Sequence, residues 1–357
     1  MGEDSDIDTK GELLNFKETN ELLEALLLSV YTPTKYIKEE CKKKYIEKYS
    51  LKGKHGGDMS FDVQSRGMIV LHRFNLFKRL ESSVFSFEET LRRLLERIER
   101  TEQLLLKGSG EVDQEDADFD DSGDDGVYIE GKYEIDVRDL RIDDYLEDLA
   151  SDKYIIAEIH KNARKILEEE RDRKLIDLKE IIRKKVEETP YNSGNKKVLV
   201  FSAFADTVEY LYKNLAGEML QYGVYTASVT GKGVKTNNDN IDADFNSVLC
   251  AFSPLSKTKK ETPAEKQVDL LIGTDCISEG QNLQDCDTVI NFDIQWNPVS
   301  LIQRFGRIDR IGSQNTHIQM INFFPNMELN EYLGLEARVK GKMTTLNLVS
   351  TGDEDVL

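Results

Sequence analysis

From residue 197 onward the sequence carries short, nearly continuous apolar runs separated by stretches with helical spacing, and this alternation constrains the fold more than any other feature. Residues 197–202 read Lys-Val-Leu-Val-Phe-Ser. A run that short, with no polar alternation, suits a strand covered on both faces, as in a parallel sheet. Similar runs at 224–229, 268–273, 288–292 and 317–323 predict four more strands. Helices are predicted over 205–220 and over 298–311, the second starting at Pro298, whose fixed φ suits a first helical turn. Strands alternating with helices predict an α/β fold, a doubly wound parallel sheet whose ligands sit at the carboxyl ends of the strands.

Residues 1–190 have a different period. Between 67 and 106, Phe74, Phe77, Leu80, Val84, Phe87, Leu91, Leu94, Ile98 and Leu105 recur at helical spacings, with Arg92, Arg93, Glu96, Arg97, Glu99 and Arg100 largely opposite. That predicts one long amphipathic helix or two. A shorter apolar face at Leu22, Leu23, Leu26, Leu27 and Val30 stops at Pro33, after which Thr34 is placed to cap a helix running to Tyr49. A second helical run is predicted over 137–186, and Pro190, Asn192, Ser193 and Gly194 mark a boundary. The expected organisation is therefore a helical region (1–190), an α/β domain (191–325) and a C-terminal helix and tail (326–357).

Inside the helical region, residues 108–126 are rich in Asp, Gly and Ser, with too little apolar surface to offset the entropy of ordering them, so a mobile loop is predicted. Every charged residue between Lys107 and Lys132 is acidic, and this one segment supplies about half of the formal net charge of -19. The remainder is only mildly acidic, so net charge does not exclude a nucleic-acid partner. Cys41, Cys250, Cys276 and Cys286 lack CxxC spacing and do not cluster with the histidines, which predicts reduced thiols and no metal site. No apolar stretch is long enough to span a bilayer, and a soluble, cytoplasmic chain with no membrane partner is expected.

The predicted sheet brings chemistry to one rim. Ser202, Thr230 with Gly231, and Thr274 with Asp275 follow three of the strands. Hydroxyls, backbone N–H groups and a glycine allowing close approach are suited to holding successive phosphates, and Ser and Thr at such positions also serve simply as helix caps. In the predicted last helix Gln303, Gly306, Arg307 and Arg310 stand at i, i+3, i+4 and i+7, one face, while Phe305 and Ile308 point toward the sheet. Guanidinium groups are planar, permanently charged donors of the kind a transferring phosphate requires. A solvated basic helix face would have the same composition, although a mid-helix glycine costs ~1 kcal/mol against alanine and points to a close backbone approach.

On these residues the segment 197–324 resembles the second RecA-like lobe of superfamily-two helicases, especially the Swi/Snf-type ATPases and the bacterial RNA-polymerase-associated members. The 197–202 run looks like their motif IV, Gly273 through Asn282 like motif V, and Gln303-Arg304-Phe305-Gly306-Arg307-Ile308-Asp309-Arg310 like motif VI. Asp293, Trp296-Asn297-Pro298 and Arg310-Ile311-Gly312 fit the Swi/Snf type. More locally, Lys78-Arg79-Leu80-Glu81-Ser82-Ser83 is similar to a segment between the two lobes of bacterial helicase-related proteins.

The resemblance implies ATP as the nucleotide, with Arg307 and Arg310 as arginine fingers and Gln303 positioning the γ-phosphate. It places Glu279, Gly280 and Asn282 near the nucleotide, and Ser202, Thr230, Gly231 and Thr274 on the nucleic-acid backbone, with double-stranded DNA as the expected partner. The sequence departs from the whole motor, because no G-x-x-x-x-G-K-[ST] segment is present and no buried strand is predicted to end in a paired Asp-Glu that could hold magnesium, Asp353-Glu354 lying in a polar tail. The expectation is a second lobe whose N-terminal RecA-like partner lobe, with its phosphate loop and magnesium, lies outside this chain, so that this chain alone is inactive. The alternative is a non-catalytic adaptor whose helical region binds a protein partner.

Overall fold

The computed structural model describes residues 7–49, 61–108, 111–113, 134–258, 262–277, 281–293, 298–310 and 313–323. The helical region consists of α1 (Phe16–Ala25), α2 (Glu39–Tyr49), α3 (Phe61–Ser82), α4 (Val84–Lys107) and α5 (Ile142–Glu168), with a two-stranded antiparallel sheet of β1 (Glu111–Asp113) and β2 (Glu134–Asp136). The long amphipathic run is two helices. Ser83 takes an extended conformation and its hydroxyl caps α4 by accepting from Ser86 N–H, and Gly108, at φ +66°, ends α4 in the left-handed conformation that suits glycine. The predicted apolar stripe of α4 (Phe87, Leu91, Leu94, Ile98, Leu105) is buried against Tyr145, Leu149, Ile156, Ile159 and Ala163 of α5.

Two local expectations are corrected here. Thr34 lies inside a short 3-10 turn, Pro33–Tyr36, and does not cap α2, because proline starts a turn at once and a separate break at Ile37 intervenes. The acidic segment begins with β1, paired to β2, where a loop was expected, since backbone pairing needs no apolar side chains. Residues 114–133 lie outside the described part, as does the expected C-terminal helix and tail.

The α/β domain comprises α6 (Arg173–Glu188), β3 (Val198–Phe201), α7 (Ala205–Leu220), β4 (Thr226–Thr230), β5 (Gly233–Thr236), α8 (Phe245–Phe252), α9 (Pro254–Thr258), β6 (Leu270–Gly273), β7 (Thr288–Asn291), α10 (Pro298–Phe305) and β8 (Gln319–Asn322). The six strands run in the order β5-β4-β6-β3-β7-β8, all neighbours parallel except the β4–β5 pair. Alternate side chains feed two cores: Val198, Val200, Leu270, Ile272 and Ile290 pack with α6 and α7, while Leu199, Phe201, Leu271 and Val289 pack with α8 and Ile308 on the other face. This is the doubly wound arrangement expected from unbroken apolar runs. Leu175, Leu178, Ile182 and Val186 of α6 belong to the first of these cores, so that helix shares its burial with the sheet although it precedes Pro190.

The sequence reading missed β5, an antiparallel edge strand whose alternating exposure gives no continuous apolar run; the Thr230-Gly231-Lys232-Gly233 turn was its signal. It also overextended the last helix. α10 ends at Phe305, and the chain then tightens into turns, with Arg307 N–H on Arg304 O and Ile308 N–H on Phe305 O. Gly306 gives the helix its weakest point, and the complete burial of Ile308 draws the chain inward. Phe305 and Ile308 both reach the core as expected, but Gln303, Gly306, Arg307 and Arg310 do not share a helical face.

Candidate nucleotide and nucleic-acid interface

The carboxyl ends of β4, β6, β3 and β7 form one rim, because these strands are consecutive and parallel. Gly273 closes β6 in a tight place: a Cβ there would stand 2.6 Å from the Cδ1 end of the Ile277 side chain and 3.0 Å from Val229 O, so both neighbours would have to give. The chain therefore turns sharply, and Thr274 N–H donates to Val229 O at 3.2 Å, which seats Thr274 beside Thr230 at the end of β4.

The hydroxyls of this rim differ in what they can offer a ligand. Thr230 is half-buried and its Oγ1 accepts from Lys232 N–H in the β4–β5 turn, with Gly231 exposed at its tip. Thr274 is 4% exposed and its hydroxyl donates to Cys276 Sγ at 3.2 Å. Ser202 is wholly buried and donates to Asp293 Oδ2 at 2.5 Å. The same carboxylate accepts from Ser82 Oγ at 2.6 Å and from Ala203 N–H at 2.8 Å. Ser82 and Ser83 also bond Thr207 Oγ1 at 2.8 and 2.9 Å. The α3–α4 junction is thus fastened over the β3 and β7 ends of the rim. Arg79 extends the contact, donating to Asp206 Oδ2 at 3.1 Å with its guanidinium 4.3 Å from the Phe204 ring centre. From α6, Lys174 donates to the last carbonyls of α3, Glu81 O at 2.6 Å and Ser82 O at 3.0 Å, where the helix dipole favours a cation. Burial beside Phe292 nevertheless pushes its pKa down to about 8.

The arginines sort into one structural and two candidate ligand-facing groups. Arg304, fully buried, forks onto Asp275 with Nε–Oδ1 at 2.7 Å and Nη2–Oδ2 at 2.9 Å, donates its Nη1 to Asn291 Oδ1 at 2.9 Å, and lies over Phe201. It staples α10 to the β6 turn and to β7. The sequence reading had both residues in view and paired neither; an arginine one position from the inward-facing Phe305, with a strand-end aspartate available, was the only signal. Arg307 is half-buried and its carbonyl accepts from Leu283 N–H. Arg310 donates Nε to Gly306 O and Nη1 to Asn282 Oδ1, joining the end of the motif VI segment to the 281–283 loop. Gln303 is exposed. Glu279 and Gly280 lie outside the described residues, as do Trp296, Asn297, Ile311 and Gly312.

Among the described residues no group of three or more His, Cys, Asp or Glu side chains is placed to hold a metal ion. Nor is any helix of the described residues long and apolar enough to cross a membrane.

This sheet and its rim define the class, a RecA-like lobe. Residues 173–312 match the family model of the Helicase conserved C-terminal domain. The matched segment begins at the first residue of α6. The chain is 39% identical over 67 residues to the uncharacterized ATP-dependent helicase YqhH of Bacillus subtilis, covering 19% of this chain and 12% of that protein. It is 28% identical over 153 residues to the chromodomain-helicase-DNA-binding protein 3 homolog of Caenorhabditis elegans, covering 43% of this chain and 7% of that protein. The helicase domain of Pyrococcus furiosus Hef aligns over 90% of this chain and 55% of its own, at 16% identity and a TM-score of 0.40. The chain therefore spans only a small part of the length of the curated relatives it matches.

Proposed function

We propose that this chain is the second lobe of a nucleic-acid-dependent ATPase that translocates along double-stranded DNA in the cytoplasm, completed by an N-terminal RecA-like lobe carrying the phosphate loop and magnesium. The observation that carries the reading is the Arg304–Asp275 fork. It locks α10, and the turns that lead to Arg307 and Arg310, to the β6 turn that carries Thr274. Cations suited to a γ-phosphate and a hydroxyl suited to a strand backbone are thereby held on one rigid unit, which is the coupling a motor needs. ATP supplies the transferring phosphoryl group; Arg310 and Arg307 stabilise its charge, Gln303 and Asn282 position it, and Glu279 and Gly280 are further nucleotide-binding residues. Thr274, Thr230 and Gly231 contact the strand. In the intact protein Arg310→Ala is expected to lower kcat for ATP by 10³-fold or more, on the order seen for arginine fingers, while ATP binding changes little. Turnover retained in that variant would remove the assignment.

One observation favours the alternative, a non-catalytic adaptor. Ser202 is closed off by Asp293 and Ser82, so the helical region occupies part of the rim that a nucleic acid would use. In the motor reading the same contact makes the helical region a fixed extension of the lobe, and the bound strand is confined to the β4–β6 side.

A further inference from the structure

Two cations near the end of the motif VI segment lack the carboxylate partner that three buried cations of this lobe possess. Lys185 sits on Asp287, Lys197 on Asp269 and Arg304 on Asp275. Lys257, on α9, instead donates to the side-chain oxygen of Gln281, and Arg310 donates to the side-chain oxygen of the next residue, Asn282. Both are partly buried, and among the described residues no carboxylate lies within 4.0 Å of either. In a chain of net charge -19, two adjoining cations held by neutral amides are an unusual use of charge.

Like charges brought together and partly desolvated raise each other's free energy unless an anion joins them. The lysine shows that cost: burial, and then the positive charge of Arg310, holds its ammonium below the ordinary lysine range. An amide oxygen orients a cation without neutralising it, which leaves the charge available to a ligand.

We propose that Lys257 and Arg310 form a two-cation seat for a phosphate group, so that Lys257, outside motifs V and VI, is a further phosphate-binding residue of this lobe. Assigning that phosphate to ATP rests on the proposed function, whereas the affinity of the pair for phosphate does not. A terminal phosphate, whose several oxygens can accept from an ammonium and a guanidinium at once, is the chemistry such a pair would take.

The probe is pyrophosphate, titrated into this chain at constant ionic strength with chloride as the control anion and followed by the rise in Tm. Lys257→Gln and Arg310→Gln are each expected to weaken its apparent affinity roughly tenfold, and Lys257→Arg to retain it. Lys257→Met replaces Lys257→Gln should the latter not fold. Pyrophosphate affinity unchanged in the neutral Lys257 variant, or lost equally in Lys257→Arg, overturns the proposal. In the intact protein, a nucleotide phosphate predicts that Lys257→Gln lowers ATP turnover with the salt dependence of nucleic-acid binding unchanged. A backbone phosphate predicts a salt slope smaller by about one with ATP turnover preserved at saturating nucleic acid. An intact wild-type protein that hydrolyses no ATP would defeat the proposed function and leave the pyrophosphate result standing.

Discussion

At the scale of single residues, Arg304 does the most to shape the site although no ligand need touch it. Its fork onto Asp275 and its bond to Asn291 satisfy three polar groups at the junction of β6, β7 and α10. Removing one member of a buried pair leaves the other desolvated without compensation, so Arg304→Met is expected to destabilise this chain by about 3 kcal/mol in urea unfolding. Arg304→Lys should recover little of that, because an ammonium cannot bridge both carboxylate oxygens and Asn291 in the fixed geometry of a guanidinium. Wild-type stability in Arg304→Lys would show that charge alone holds the junction. Cys286 marks the opposite extreme: burial pushes its thiol up to about 12, which makes it a packing residue and not a nucleophile.

Among the elements, α3 and α4 carry the helical region onto the lobe, and α3 also carries a pH-sensitive contact. His72 is buried and stacked on Tyr31 with ring centres 3.5 Å apart, near the positive Arg97, and burial with that charge pushes its pKa down to about 3. The folded chain thus refuses a proton that the unfolded chain accepts below pH 6.5, so stability is complete above that pH and falls as the pH drops toward 3. Between pH 7 and pH 5 this group is expected to cost roughly 2 kcal/mol, and a His72→Phe variant should lack that part of the loss in urea unfolding at the two pH values. An equal loss in both proteins would contradict it. The elements themselves were largely legible before the structure. Unbroken apolar runs located β3, β4, β6, β7 and β8 to within about two residues, and the 205–220 helix coincides with α7. Failures came where tertiary burial overrode local pattern: β5 is paired by backbone on an exposed edge, and α10 stops early because Ile308 is drawn inward.

For the whole molecule, the helical region and the α/β lobe meet through a dense polar seam: Ser82, Ser83, Ser202, Thr207 and Asp293 at its centre, Arg79–Asp206 and Lys174 beside it. The motif residues carried the resemblance from sequence alone, yet the seam and the Arg304 fork were not legible, because both join residues far apart in sequence whose partners only folding brings together. Ser202 shows the cost of reading motifs singly, since its place on the rim was legible and its closure by Ser82 was not. In the proposed motor, nucleotide and strand are coupled through the β6–α10 unit. The most direct test is ATP turnover by the intact protein with and without duplex DNA. DNA is expected to raise kcat at least severalfold, and Arg304→Met to abolish this stimulation more than it lowers basal turnover; equal turnover with and without DNA would rule out the coupling.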